Sequence, residues 1–153
     1  MIDFSSYPKF TQFSNKKIMS IDFGSKVIGT ALYIPNRDPF PYSFEKIIYQ
    51  TDSLAISEIN KLINDEAVEV IVFGVPYFLD GKESDNTKRI KFFGDSLKLS
   101  LSSGIEFYEQ DETLTTQAAK DRMMNSPEYN FKVDVTKIDC LSAVIILEDF
   151  IRS

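Results

Sequence analysis

Ile18-Met-Ser-Ile-Asp22-Phe-Gly24-Ser-Lys26-Val-Ile-Gly29-Thr-Ala-Leu32 sets a carboxylate, Asp22, inside a run that otherwise reads as the middle of a β-sheet. An ionised aspartate between Ile21 and Phe23 loses hydration that a strand cannot return, so it needs a cation, a metal or a hydrogen-bonding ligand beside it. On either side of the Gly24-Ser25-Lys26 break, residues 17–24 and 27–34 read as strands, and so short a connection makes them an antiparallel hairpin. Upstream, residues 1–16 carry Phe4, Tyr7, Phe10 and Phe13 without a sustained period. They read as an N-terminal tail docked through its aromatics, ahead of one domain over 17–153.

Downstream, Pro35, Pro39 and Pro41 mark a loop, and 42–50 is compatible with a third strand. Asp52 or Ser53 suits the cap of a helix carrying Leu54, Ile56, Ile59, Leu62 and Ile63. Residues 68–73 form a continuous apolar run, the pattern of a strand buried on both faces. A polar loop with Gly74, Pro76 and Asp80-Gly81 leads into a helix over 84–101, with Ile90, Phe93, Leu97 and Leu101 along one face. A strand at 105–108, a helix at 112–124, a loop at 125–133 and a strongly apolar helix at 137–151 complete the chain. The class is therefore α/β. Three strands form a meander, and later strands, entering by helical crossovers, lie parallel to their neighbours in one mixed sheet flanked by helices. Loops at the carboxyl ends of such strands carry the chemistry of α/β proteins. Asp22 sits near the end of the first strand, and Asp111 and Glu112 follow the last.

Composition narrows the chemistry. The chain has 153 residues, 43% hydrophobic and 26% charged, enough for a core that needs no disulfide or structural metal. Its single cysteine, Cys140, falls in an apolar helical pattern, which excludes a disulfide framework and a cysteine metal cluster. With no histidine, Ser-His-Asp and Cys-His catalysis and histidine-ligated zinc are excluded as well. Seventeen basic against 23 acidic residues leave a net charge of −6, so a polyanion can be held only by a local patch. The first residues lack the pattern of a secretory signal and no run of about 18 apolar residues occurs, so a cytoplasmic protein without a membrane partner is expected.

Three acidic points stand out: Asp22, the pair Asp111-Glu112, and Asp139 near the start of the last helix. Structural readings compete with functional ones. Asp111 suits a helix N-cap, Glu112 a favourable first-turn charge, and Thr136-x-x-Asp139 a variant capping box. Together the acids suggest one site, because Mg2+ and Mn2+ prefer carboxylate oxygens. Two such ions about 4 Å apart activate a water and stabilise the leaving oxygen of a phosphodiester. Ser142 and Ala143 share the helical face of Asp139, and their small side chains let that helix lie close to the sheet.

These residues resemble the YqgF/RuvX family, of ribonuclease-H-like fold, described as Holliday junction resolvases and as pre-16S rRNA nucleases. The resemblance rests on Ile21-Asp-Phe-Gly-Ser-Lys-Val-Ile-Gly-Thr-Ala31, Val72-Phe-Gly-Val-Pro76 with Asp80-Gly81, Asp111-Glu-Thr-Leu-Thr-Thr116 with Ala118, and Asp139-Cys-Leu-Ser-Ala-Val-Ile-Ile-Leu147. They run in family order and cover nearly all of the chain from Lys17. By the resemblance Asp22 is the central metal ligand, Asp111 or Glu112 the second and Asp139 the third; their order does not say which of the adjacent pair faces the metal. The family usually has Asp-Glu-Arg where this chain has Asp111-Glu112-Thr113, which removes a phosphate or carboxylate contact.

Lys82, Lys88 and Arg89, in and after the loop that starts at Gly74, read either as a solvated face or as a phosphate-contacting rim, and Lys26 as a turn lysine or a further contact. Thr115 and Thr116 read as first-turn threonines that satisfy backbone groups.

The leading expectation is a nuclease using Mg2+ or Mn2+ and a water nucleophile on structured RNA, a precursor of small-subunit rRNA. Its rivals are the same chemistry on branched four-way DNA, which requires a dimer, and a noncatalytic nucleic-acid-binding module. A monomer or weak homodimer is expected. Asp22-Phe-Gly24-Ser25-Lys26 also looks like the first phosphate loop of actin-like ATPases and sugar kinases, but those need a second related domain for which this chain is too short.

Overall fold

The computed structural model describes residues 3–153. Five strands, β1 (Ile18–Phe23), β2 (Val27–Tyr33), β3 (Tyr42–Ile48), β4 (Val70–Val75) and β5 (Glu106–Asp111), form one sheet in the order β3-β2-β1-β4-β5. β1, β2 and β3 run antiparallel as a meander, and β4 and β5 join parallel to β1. This is the mixed sheet expected from the element order. The carboxyl ends of β1, β4 and β5 therefore lie along one edge.

Period-two alternation in β1 and β4 sends their side chains to two separate cores. Met19, Ile21, Phe23, Ile71, Phe73 and Val75 pack under α2 (Asp52–Glu66) and α3 (Asp85–Ser100). Ile18, Val70 and Val72 pack on the other face against α5 (Ile138–Arg152), with α4 (Thr115–Met124) beyond it. Eleven of the 15 residues of α5 are buried, including Ser142 and Glu148, because the sheet and α4 enclose it from two sides. Its buried Glu148 carboxylate accepts two hydrogen bonds from Arg122, at 2.6 and 3.1 Å, so the charge is paired inside the fold.

Several local readings are corrected. Thr51, not Asp52 or Ser53, caps α2, and Ala55, Ile59 and Ile63 are its buried positions while Leu54 is exposed. β5 continues to Asp111, three residues beyond the expected strand. As a result α4 starts only at Thr115 after a left-handed Leu114, and Asp111 caps nothing. No side chain caps α5: Thr136 turns instead to Asp134, which removes the capping-box reading of Asp139. The stretch read as a loop over 125–133 holds a 3-10 turn, Pro127–Tyr129. Within the expected tail a short helix, α1 (Pro8–Gln12), lies between buried Phe4 and Phe13, whose rings pack on Tyr33 and Phe150. Among the described residues no helix is long and apolar enough to cross a membrane.

The approach of α5 to the sheet depends on Gly29. A Cβ at that position comes within 2.8 Å of the Cys140 nitrogen and closer still to the Asp139 carbonyl. Ser20 reinforces the contact farther along by donating to the Ala143 carbonyl at 2.6 Å. Gly29→Ala is therefore expected to cost about 1–3 kcal/mol, the usual range for overpacking. Thermal unfolding checks this, since about 2–4 °C is lost per kcal/mol in a domain of this size.

Candidate acidic site at the sheet edge

Asp22 pairs with Gly29 of β2, and Gly29 pairs with Lys46 of β3, so the three lie in one row across the sheet. Residues in register share a face, and here it is the face covered by α5. The glycine in the middle of the row is what lets the first turn of α5, with Asp139, descend beside Asp22. A second glycine admits the other partner. A Cβ on Gly74 of β4 would lie 3.1 Å from the Glu112 carboxyl and 2.5 Å from Ile146, so Glu112 occupies space that any larger residue would fill. The Glu112 backbone N–H donates to the Val75 carbonyl at 3.0 Å, which carries the β4–β5 ladder one step past the strand and aims this side chain inward.

Glu112 is 8% exposed, whereas Asp22 keeps partial contact with solvent. Burial pushes both carboxyls above the ordinary carboxylate range, and the charge of Asp22 drives Glu112 up further. Two carboxylates this close do not both ionise in a poorly hydrated site. The pair therefore favours sharing a proton, and burial together with the Asp22 charge makes Glu112 the more strongly raised of the two. Asp139, half-buried in the first turn of α5, is raised mainly by its own burial, and its charge adds to the upward push on Asp22. Lys46 moderates Asp139 by its positive charge and donates from Nζ to the Thr136 carbonyl at 2.9 Å, just ahead of α5.

Asp111 is placed differently. Its exposed carboxylate accepts from the Thr113 backbone N–H at 2.8 Å and from the Thr113 hydroxyl, closing a turn that leads into α4. The structure thus brings Glu112, not Asp111, against Asp22. Thr113, where the family usually has arginine, is committed to this turn and also reaches the Tyr77 carbonyl at 3.3 Å.

Among the basic residues singled out in the sequence, Lys26 and Lys88 are exposed. Lys82 is exposed with Asp80 at 4.0 Å. Arg89 is tied at 2.6 and 3.1 Å to Asp52 and at 3.1 Å to the Tyr49 hydroxyl. Lys46 was not among them. Strand alternation alone does not mark it, because the β2–β3 register shifts between Gly29 and Ala31 and only the folded pairing sets Lys46 opposite Gly29.

The donor set is hard oxygen, which fits Mg2+ or Mn2+, and a buried, proton-sharing carboxylate pair is one that a divalent cation would relieve. Among the described residues no three acids form a ready-made cage, so Asp22 and Glu112 are the formed part of the site and Asp139 its neighbour.

A family model described as "RuvX: Holliday junction resolvase" matches residues 16–153. A relative from Sulfurihydrogenibium sp. is 32% identical over 136 residues, covering 88% of this chain and 89% of its own length. One from Malacoplasma penetrans is 31% identical over 141 residues, covering 91% and 96%. Both bear the name "Putative pre-16S rRNA nuclease". Among solved structures, T. thermophilus RuvC in complex with Holliday junction substrate superposes with a TM-score of 0.60 at 9% identity, over 90% of this chain and 95% of that one. The Fowlpox virus resolvase with its junction DNA gives 0.55 at 15%, over 88% and 96%. At such identities the likeness is one of fold, and it is the ribonuclease-H-like fold anticipated from the motifs.

Because Glu112 binds its proton more tightly folded than unfolded, the metal-free fold loses stability as pH rises above the ordinary carboxylate range and through neutrality. Glu112→Gln, an isostere of the protonated acid, is expected to raise the melting temperature at about pH 8, by roughly 2–4 °C per kcal/mol recovered. It should also flatten the decline between about pH 5 and about pH 8. Thermal scans in a chelating buffer measure both.

Proposed function

The chain belongs to the RuvX family, and from that premise we propose that it is a divalent-metal-dependent endonuclease that processes the 5′ end of pre-16S rRNA in the cytoplasm. The observation that carries this reading is the Asp22–Glu112 pair at the carboxyl edge of a resolvase-like sheet, with Asp139 beside it. Phosphodiester hydrolysis without histidine or a usable thiol calls for hard-oxygen ligands, and these are the acids the fold gathers.

Asp22 and Glu112 would hold Mg2+ or Mn2+ with Asp139 as a third ligand, and the bound ions would supply Lewis-acid charge and an activated water. Glu112 would give up its proton on holding a cation, which would couple metal uptake to proton release. Asp111 acts as a positioning residue: by fixing the Thr113 turn it sets where Glu112 leaves β5. Lys26, Lys82 and Lys88, all exposed, would contact phosphates flanking the cut, while Arg89 chiefly braces α3 against Asp52. The monomer suffices for a single cut. The family description favours a second reading, resolution of four-way DNA junctions, which needs two such sites in a dimer.

With Mn2+ and a 16S precursor fragment carrying its 5′ extension, cleavage is expected at the mature end. Asp22→Asn should lower the rate by about 1,000-fold, the equivalent of several kcal/mol of lost metal stabilisation. Preference for a synthetic four-way junction in the same assay, together with dimeric mass in solution, would replace the rRNA reading with the junction one.

Calorimetry supplies an independent check. The apparent enthalpy of Mn2+ uptake is expected to vary with the ionisation enthalpy of the buffer in the wild type, reporting the Glu112 proton. In Glu112→Gln that dependence should be lost.

A further inference from the structure

On the β3 side of the acidic row lies a cleft of about 370 Å3, within the ~300–1,000 Å3 range of small-molecule sites. Its walls are Lys46 and Ser43 from β3, Glu128 and Tyr129 from the 3-10 turn, and Thr136 and Lys137 from the approach to α5. Cys140, Thr136 and Lys137 of its lining flank Asp139 in the chain, and Lys46 shares the row of Asp22, so the cleft lies beside the acids. Lys137 lies over the half-buried Tyr129 ring, 5.9 Å from its centroid, and its side chain is 64% exposed. Ser43, Glu128 and Tyr129 also line an adjoining hollow of about 490 Å3 that runs on to Phe40, Tyr42 and Arg122.

An aromatic ring and two lysines on the walls of one cleft, on a chain of net charge −6, have the chemistry of a base-stacking platform with phosphate contacts beside it. The Glu128 carboxylate adds an acceptor suited to an exocyclic amino group or a 2′-hydroxyl. A base inside a duplex is already stacked and hydrogen-bonded, so only a splayed-out nucleotide can enter a pocket of this size.

We propose that this cleft holds one unpaired ribonucleotide next to the scissile phosphate, its base on Tyr129 and its phosphate between Lys46 and Lys137, so that the cut falls in an unpaired segment of RNA. The inference rests on the nuclease reading above and adds what the site selects. Neither the acids nor the sheet edge distinguishes paired from unpaired RNA; the cleft does.

Single-turnover cleavage with Mn2+ tests it, using a precursor fragment unpaired at the cut, the same fragment annealed to a complement, and versions with one abasic nucleotide at each position around the cut. Pairing across the cut is expected to slow cleavage about 10-fold or more, and one abasic position adjacent to the cut to slow it by a similar factor. Tyr129→Ala should cost about 10-fold on the intact RNA and nothing further on that abasic RNA, while Tyr129→Phe restores the rate. Lys137→Met should reduce the salt dependence of binding by about one unit of slope.

Equal cleavage of paired and unpaired RNA, of an all-deoxy strand, or of every abasic version would overturn the proposal, and the abasic series needs no protein variant to fold. If Asp22→Asn is inactive while Tyr129→Ala cuts like the wild type, the cleft inference falls and the nuclease reading stands. If Asp22→Asn cuts normally, both fall.

Discussion

A carboxyl in the central strand of a sheet is tolerable only if the fold gives it partners, and the two glycines beside Asp22 are what allow this. Gly29 removes a side chain on one flank so that the α5 backbone can descend, and Gly74 opens room on the other for Glu112. Among the described residues no fixed cation offsets the desolvation of Asp22; burial and repulsion among the acids instead push it and Glu112 toward the protonated form. On the proposed reading, this is what would separate a functional acid from a structural one. An arginine would neutralise Asp22 permanently, as Arg122 does for Glu148, and leave nothing for a metal to relieve.

Both cores serve that arrangement. The α2/α3 face is a conventional apolar layer, with Phe73 stacked on Phe93 and Phe23 tilted against it. The α5 face is more constrained, because a helix buried on nearly every side must approach close enough to deliver Asp139 and still satisfy Ser20, Glu148 and Cys140. Its register against β1 and β2 is therefore fixed by backbone contact at Gly29 and by the Ser20 hydrogen bond to Ala143, in addition to apolar area, and directional contacts resist sliding better than area does.

Much of this was legible in the chain. The run around Asp22, the apolar stretch before Gly74 and the final apolar helix set the mixed sheet, because hydrophobic period and breakers act locally. Three things were hidden. Whether Asp111 or Glu112 points inward depends on how far β5 runs, and the strand continues through Glu109, Gln110 and Asp111, polar residues that alternation arguments discount. The role of Gly29 depends on a helix more than 100 residues later, which no local signal carries. Lys46 sits on an edge strand whose register is shifted by a bulge, so its place in the Asp22 row exists only after β2 and β3 have paired.

Net charge and local field point in opposite directions, and the geometry reconciles them. An acidic chain repels RNA at long range, and a proton-sharing carboxylate pair does nothing to change that. Lysines near the acids would, on the nuclease reading: Lys46 and Lys137 toward β3, and Lys26 at the β1–β2 turn. Contacts within a Debye length, about 8–10 Å, outweigh the screened charge of the distant surface. On the nuclease reading, binding at this edge would be steep in position and weak elsewhere, as a single cut in a long polyanion requires.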